Sequence, residues 1–182
     1  DRVFALGRDG DLLCAECATG KPLWRKKFGK DYGGRMMSGW GYSESPLVDG
    51  DRLVCTPGAQ EALIVALNKR TGKTIWTSPM PEAVGKRGKD GAGYSSIVIG
   101  QACGVRQYVQ LTGRGLIAVA ARDGKPLWSY NKVANDTANI PTPIVKDDLV
   151  FCSSGYDTGA ALLRDVRKGK TVEAEEVYFL PA

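Results

Sequence analysis

Short apolar runs alternate with turn-forming residues along most of the chain. Residues 62–67 and 116–121 are apolar at every position, and a Gly-Lys pair follows each run within a few residues. An apolar run without alternation indicates a β-strand that is covered on both faces, because a strand with one wet face alternates apolar and polar residues. The pattern therefore predicts an all-β protein built from short strands with two buried faces.

One phrase recurs at a fixed spacing and divides the chain into like units. Residues 19–24, 71–76 and 123–128 each contain Gly-Lys and end in Trp, and successive copies lie 52 residues apart. A worn copy at residues 168–173 ends in Glu instead of Trp. The glycine suits a hairpin turn that requires a positive φ angle. Repeated strand units of this length with both faces covered predict a β-propeller.

We predict a single propeller segment, residues 1–182, made of four-stranded antiparallel blades. The chain opens inside a strand pair without a starting Met, so we expect an incomplete arc of about four blades from a longer chain. The long connectors, residues 29–41 and 79–93, are expected to lie together on one face, where loops commonly carry binding functions. The predicted blades are approximately residues 1–28 (partial, without its innermost strand), 42–79, 94–131 and 140–180.

Composition and charge exclude several kinds of site within this sequence. There is no histidine, which excludes a Ser-His-Asp triad, a His-ligated metal and CxxCH haem attachment. The five cysteines are an odd number and do not suggest a disulfide framework. The net charge of +5 is mild, and no nucleic-acid-reading motif accompanies it, so we expect no nucleic-acid partner. No apolar run is long enough for a transmembrane segment.

Three short motifs have a functional and a structural interpretation, and the structural one is favoured for the first two. Residues 113–118 spell the dinucleotide fingerprint GxGxxA, but the turn at Asp123 comes too soon for the helix that such a site requires. Cys14 and Cys17 form a CxxC on a predicted strand, without the helix or second ligand pair of redox or zinc sites. Asn135 begins a glycosylation sequon by pattern only.

The repeated phrase resembles the blade motif of the PQQ-like propeller family, which includes quinoprotein alcohol dehydrogenases. The family pattern is Ala-x-Asp-x-x-Thr-Gly-x-x-x-Trp. Ala66, Asn68, Thr71, Gly72 and Trp76 match it, with Asn in place of Asp. The worn fourth copy retains only Asp165 and Gly169. The resemblance implies that each Trp docks against a neighbouring blade, and the implied blade-docking residues are Gly20, Trp24, Gly72, Trp76, Gly124 and Trp128.

The family also has non-catalytic members, among them the propeller lipoprotein of bacterial outer-membrane assembly. The resemblance therefore favours a non-catalytic scaffold that binds protein partners through the loops of one face, in the periplasm or cell envelope. The candidate contact residues lie on or beside the two connectors: Arg35, Trp40, Tyr42, Lys86, Arg87 and Lys89. Two alternatives remain open for these contact residues. The basic loop (Lys86, Arg87 and Lys89) can be plain solvent surface, and the aromatic pair (Trp40 and Tyr42) can pack against a blade.

The alternative is a fragment of a PQQ-dependent quinoprotein dehydrogenase whose cofactor and calcium residues lie largely outside this segment. The family's dehydrogenases often carry two adjacent cysteines near the cofactor, and this sequence has no such pair. We assign no catalytic, cofactor-binding or metal-binding residue from the sequence, and an enzymatic role is not favoured. PQQ and calcium belong only to this alternative. In either case, further blades of the parent chain are expected to close the ring.

Overall fold

The computed structural model describes residues 1–81 and 85–182, which contain fifteen β-strands and one short helix. The helix, α1, spans Phe28–Tyr32. The strands are β1 (Arg2–Leu6), β2 (Asp11–Glu16), β3 (Pro22–Lys27), β4 (Leu47–Asp49), β5 (Arg52–Cys55), β6 (Ile64–Asn68), β7 (Thr74–Ser78), β8 (Val98–Ala102), β9 (Val105–Thr112), β10 (Gly115–Ala120), β11 (Pro126–Tyr130), β12 (Ile144–Lys146), β13 (Leu149–Ser154), β14 (Gly159–Lys168) and β15 (Thr171–Leu180).

The strands form four antiparallel sheets, and the strand order in each sheet follows the chain. Strands β1–β3 form a three-stranded sheet, and β4–β7, β8–β11 and β12–β15 each form a four-stranded sheet. A sheet whose consecutive strands are neighbours is the unit of a propeller blade. We number the blades one to four along the chain. The prediction of an all-β propeller built from antiparallel blades is confirmed.

Three apolar clusters fill the spaces between successive blades. Val65 belongs to the cluster between blades one and two, and Ile64 and Ile117 belong to the cluster between blades two and three. Leu116 and Leu163 belong to the cluster between blades three and four. Neighbouring residues of β6 and β10 thus enter opposite clusters, as the alternation of a strand requires. Each fully buried side chain of this size contributes about 1.5–3 kcal/mol, so both faces of the middle blades stabilise the arc.

The repeated phrase forms the last hairpin of each of the first three blades. A five-residue loop joins the two outer strands in each of these blades. The strand register then shifts by one residue directly after the position where the repeated Trp pairs. These pairs are Cys14 with Trp24, Ala66 with Trp76 and Ala118 with Trp128.

The last hairpin of the fourth blade has a different geometry. Only Gly169 and Lys170 separate β14 from β15, and the register shift lies far from this turn, between Leu162 and Leu163. Both strands are ten residues long. The worn copy follows the third copy after 45 residues instead of 52, counted from Gly124 to Gly169. Most of this difference comes from the connector between β11 and β12, residues 131–143, which is six residues shorter than the connector between β7 and β8, residues 79–97.

The two ends of the blades carry different connections, because successive turns of a meander fall at opposite ends of the sheet. At one end lie the repeated hairpins and the turns between the first two strands of the complete blades. We call it the hairpin face: residues 17–21, 50–51, 69–73, 103–104, 121–125, 147–148 and 169–170. The other end is the connector face: residues 7–10, 28–46, 56–63, 113–114, 131–143 and 155–158, with the described part of 79–97.

The sequence predicted an irregular first connector, residues 29–41, but part of this connector is helical. It opens with α1, which ends at Gly33 in the left-handed conformation, with φ of 69°. Phe28 is fully buried and packs edge-on against Tyr42, with ring centroids 5.3 Å apart. A single helical turn fixed by one buried ring is too short to leave a periodic signal in the sequence.

The GxGxxA segment is a hairpin turn, which confirms the structural interpretation. Thr112 pairs with Gly115 across this turn, and β9 and β10 continue as a regular antiparallel pair. Gly115 has φ of 112°, and a Cβ at this position would collide with the backbone of Tyr130. Its glycine therefore serves the close approach of two strands rather than the binding of a pyrophosphate.

Candidate functional site

The two long connectors meet on the connector face. Met36 pairs with Ala92 in a parallel bridge. The Met37 N–H donates to the Ala92 carbonyl at 3.0 Å, and the Ala92 N–H donates to the Arg35 carbonyl at 2.9 Å. Gly58, with φ of 81°, lies against both connectors, and a Cβ there would collide with the backbone of each. These backbone contacts make the connector face one platform rather than a set of separate loops.

Arg35 is bound within this platform. Its guanidinium group donates to Asp90 Oδ2 at 3.2 Å, and Asp90 Oδ1 accepts from Arg114 Nε at 2.6 Å. The Arg35 side chain remains 58% exposed. Arg35 therefore reaches the outer surface, but Asp90 partly neutralises its charge.

Tyr42 lies beneath the platform and is half-buried. Its hydroxyl donates to the Pro57 carbonyl at 2.8 Å, and its ring packs on Phe28. Burial raises the pKa of Tyr42 to about 12. This geometry corresponds to the packing alternative that the sequence left open for this side chain.

The basic loop is held mainly by its backbone. The Arg87 N–H donates to Asn131 Oδ1 at 2.9 Å, and Asn131 Nδ2 donates back to the Arg87 carbonyl at 3.0 Å. The Arg87 guanidinium group donates to the Lys132 carbonyl at 2.9 Å. Lys86 and Lys89 are exposed. Arg87 thus fastens the loop to the third connector, residues 131–143, whereas the two lysines are exposed.

An apolar pocket opens beside Trp40 on the connector face. Its volume is about 350 Å³. Trp40, Ile140 and Tyr156 are 61%, 53% and 56% exposed, and Trp40 packs edge-on against Tyr94 with ring centroids 5.9 Å apart. Exposed apolar side chains gathered around a cavity are typical of a binding surface. The residues of this Trp40 pocket are Trp40, Gly41, Ser43, Tyr94, Ala138, Ile140 and Tyr156.

Buried amide groups fix the wall of the pocket that carries Ile140. Asn139 Nδ2 donates to the carbonyls of Thr112 and Gly113 at 2.9 and 3.1 Å. The Asn139 carbonyl accepts from the Tyr94 N–H at 2.8 Å. Residues 131–143 are therefore bonded both to the hairpin between β9 and β10 and to the segment that precedes β8.

Asn135 has a structural role in the same wall. It is 8% exposed, and its Nδ2 donates to Ser154 Oγ at 2.6 Å and to the Ala138 carbonyl at 2.9 Å. The amide nitrogen that glycosylation would modify is thus buried and hydrogen-bonded. Trp40 could be singled out from the sequence, whereas Ile140 and Tyr156 belong to no motif and were missed.

Glu44 joins blades two and three just below the pocket residue Ser43. Its carboxylate accepts from the Thr56 N–H at 2.7 Å and from Gln110 Nε2 at 3.3 Å, and the Thr56 hydroxyl donates to Gln110 Oε1 at 2.6 Å. Burial raises the pKa of Glu44 to about 7, although these hydrogen bonds lower it. A carboxyl group that titrates near neutral pH therefore lies between these two blades.

Two of the repeated Trp residues dock on a hairpin glycine of the following blade. A Cβ at Gly72 would lie 2.9 Å from the Trp24 ring, and a Cβ at Gly124 would lie 2.5 Å from the Trp76 ring. The Trp24 indole N–H also donates to the Lys69 carbonyl at 3.2 Å. The indole ring from one copy of the phrase thus packs on the glycine of the next copy, where the lack of a side chain leaves room for the ring.

The remaining copies of the phrase do not make this contact. Gly20 and Gly169 face open space, and no repeated Trp precedes Gly20 in the chain. Trp128 is 7% exposed and lies in the cluster that contains Leu163 and Val172 of the fourth blade. Its docking surface consists of strand side chains rather than a hairpin glycine.

The described residues contain no group of three or more His, Cys, Asp or Glu side chains that could hold a metal ion. Asp90, an acidic residue of the connector platform, accepts hydrogen bonds from two arginines, Arg35 and Arg114. Within the same part of the chain, no helix is long and apolar enough to cross a membrane.

A protein-family model matches nearly the whole chain. Residues 1–179 match the family described as "Outer membrane protein assembly factor BamB". The chain belongs to the BamB family. This membership confirms the resemblance to the PQQ-like propellers that the repeated phrase indicated.

A solved BamB structure has the same fold. The chain is similar to BamB from Moraxella catarrhalis, with a TM-score of 0.60 and 13% sequence identity. The match covers 98% of this chain and 45% of that BamB, so this chain spans less than half of its length. No curated protein matches the sequence. At this identity the likeness to the solved BamB shows the propeller fold.

Proposed function

We propose that this BamB-family segment is a non-catalytic scaffold that binds a partner protein on its connector face. The observation that carries the proposal is the Trp40 pocket, about 350 Å³ in volume, with Trp40, Ile140 and Tyr156 exposed at its rim. The family description, an outer membrane protein assembly factor, supports a role in protein assembly. We place the parent protein in the periplasm or cell envelope on the same ground.

The pocket has the anatomy of a protein-binding hot spot. Its rim residues come from the first connector, the third connector and the loop between β13 and β14, and buried amides fix two of these segments. A preformed pocket with aromatic walls binds an apolar side chain without a large cost in ordering. We therefore propose that the partner inserts an apolar side chain between Trp40 and Tyr156.

We propose that the basic loop increases the rate of partner association rather than the stability of the bound complex. Lys86 and Lys89 are exposed on the same face as the pocket, where they would attract an acidic partner surface. Replacement of both by Glu is expected to slow partner capture without lowering the unfolding temperature. A large fall in that temperature would show that these lysines are structural instead.

Photo-crosslinking in cells that express the full gene product tests the proposed binding face. A photoreactive residue in place of Ile140 is expected to form a discrete protein adduct, and Trp40→Ala combined with Tyr156→Ala should reduce the adduct by roughly tenfold. The matched control places the same group at Leu23, which is 43% exposed on the outer strand of blade one. Equal adducts at the two positions, or no adduct at Ile140, would contradict the proposal.

A cofactor titration separates this proposal from the dehydrogenase alternative. We propose that the protein requires neither PQQ nor calcium. The absorbance spectrum of PQQ is therefore expected to stay unchanged when the full protein and calcium are added at micromolar concentrations. A bound-cofactor spectrum that disappears on calcium removal would favour the dehydrogenase.

A further inference from the structure

A basic groove crosses the hairpin face, at the opposite end of the blades from the Trp40 pocket. Its volume is about 610 Å³, and its apolar part includes Val105, Ala120 and Val172. Blades two, three and four all contribute to it. Five cationic side chains and one carboxylate line the groove: Arg52, Arg106, Arg122, Lys125, Lys170 and Asp123.

Hydrogen bonds hold the three arginines of the groove in place. Arg52 Nη1 donates to the Ala121 carbonyl at 2.7 Å. Arg106 donates to both carboxylate oxygens of Asp49, at 2.8 and 3.2 Å. Arg122 Nη2 donates to Asp123 Oδ2 at 3.1 Å. The guanidinium groups are thus oriented, and two of them are partly neutralised.

Two lysines add positive charge to the groove, which holds a single carboxylate, that of Asp123. Lys125 and Lys170 are exposed, and none of the ion pairs within residues 1–81 and 85–182 uses the ammonium group of either one. Each lysine directly follows a hairpin glycine, Gly124 or Gly169, on adjacent blades. The lining of the groove therefore combines two lysines that form no ion pair in the described structure with three hydrogen-bonded arginines.

We propose that this groove binds a phosphate group, carried either by a small phosphorylated molecule or by a lipid headgroup. Oriented guanidinium groups match the oxygen atoms of phosphate, and lysine ammonium groups bind phosphate as point charges. A phosphate dianion can accept from both free ammonium groups while it contacts an arginine edge. The site is independent of the protein-binding face, because it lies at the other end of the blades.

Titration with inorganic phosphate at constant ionic strength, followed by NMR of the labelled chain, tests the site. Phosphate is expected to shift the backbone signals of the groove residues. Lys125→Glu combined with Lys170→Glu is expected to weaken phosphate binding by at least about tenfold. Absence of shifts in the groove would overturn the proposal.

The repeat itself provides a matched control. Lys21 and Lys73 follow the hairpin glycine in blades one and two, are also exposed, and lie outside the groove. Lys21→Glu combined with Lys73→Glu makes the same change in net charge. It should alter phosphate affinity by less than about twofold, because distant exposed charges are screened. Equal losses for the two double variants would show a general charge effect and overturn the proposal.

Vesicle sedimentation distinguishes the two sources of phosphate. The probes are phosphatidylcholine vesicles with and without phosphatidylglycerol. If the anionic vesicles bind the wild-type chain and the control variant, but not the Lys125/Lys170 variant, the headgroup is the source. If phosphate binds in the groove but the vesicles do not sediment the chain, the source is a small phosphorylated molecule. Both double variants should keep the wild-type unfolding temperature, since all four lysines are exposed.

Discussion

The repeated phrase contributes a Trp to the interface between blades two and three and to the interface between blades three and four. The two Trp side chains pack against different kinds of surface. Between blades two and three, the Trp76 ring rests on Gly124. Between blades three and four, Gly169 faces open space and Trp128 packs on strand side chains instead. The fourth blade compensates with two ten-residue strands joined by a two-residue turn. Docking on a glycine is thus one solution to blade packing, and longer strands provide another.

The carboxylates at the two interfaces also differ. Asp49 accepts two hydrogen bonds from Arg106 and one from the Tyr108 hydroxyl, and these bonds hold the pKa of Asp49 below its usual value. Asp165 is 3% exposed and accepts a hydrogen bond from Gln107. Burial raises the pKa of Asp165 to about 6, although the Gln107 bond lowers it. A repeated phrase therefore specifies where blades meet but not the electrostatics of the contact.

Substitution of the hairpin glycines should separate the two interfaces most strongly. Gly124→Ala is expected to cost about 3 kcal/mol, because its Cβ must displace the Trp76 ring and its φ of 75° disfavours alanine. Gly169→Ala has a similar φ of 60° but open space, and should cost only about 1 kcal/mol. Urea unfolding measures both values. Equal costs would show that the ring contact contributes little.

The buried carboxylate should give blade four a distinct pH response. A folded-state pKa of about 6, above the usual 3.8, means that the wild-type protein loses stability as pH rises from about 4 to 6. Asp165→Asn removes this titration. The variant should therefore gain about 2 kcal/mol relative to wild type over that range and keep the gain at higher pH. Subtraction of the two unfolding curves cancels the contribution of Glu44, and a flat difference would disprove the assignment.

The carboxylate of the other interface should behave in the opposite sense. Because the pKa of Asp49 is lowered, its stabilisation is present above about pH 4 and disappears as pH falls further. Asp49→Asn should cost about 1 kcal/mol at pH 7, a modest value because Arg106 is partly exposed. The cost should shrink as pH falls below about 4. Asp51→Asn, whose side chain is 76% exposed, serves as the control and should change stability by less than about 0.5 kcal/mol.

The smallest expected effect concerns the indole N–H groups of Trp24 and Trp76, the two rings that pack on a glycine. Trp24 donates to the Lys69 carbonyl, whereas the buried Trp76 Nε1 has no hydrogen-bond partner in the described structure. Trp24→Phe should therefore cost about 1 kcal/mol more than Trp76→Phe, once the similar loss of ring area is subtracted. Thermal unfolding of the two variants measures the difference. The reverse order would mean that ring packing outweighs the hydrogen bond.

Much of the fold could be predicted from the sequence because the repeated phrase and the unbroken apolar runs are local signals. Residues 62–67 and 116–121 required two buried faces, and the clusters on either side of β6 and β10 meet that requirement. The short helix α1 and the long strands of blade four left no such signal. The helix depends on burial of the Phe28 ring, and the length of the two strands depends on their pairing with each other.

The candidate site was less accessible to sequence reasoning because its residues converge from distant segments. Trp40 was singled out as an aromatic residue in a Gly-rich connector, but Ile140 and Tyr156 reach the same pocket from two other loops. Burial of Glu44 was also unpredictable, since isolated glutamates are almost always exposed. Tyr42 and Arg87 were chosen by residue type, which does not reveal that their polar groups are bonded to backbone carbonyls.

The bonded connectors bear on how the chain would respond to mechanical force. The hydrogen bonds that Ala92 makes with Met37 and Arg35 close a loop of chain around blade two, and the bond from the Tyr94 N–H to the Asn139 carbonyl closes a second loop around blade three. Tension applied to the chain ends would load these closures before it reached the strands inside them. Each enclosed blade is therefore shielded from pulling until its closure ruptures, and extension of the arc should proceed in discrete steps.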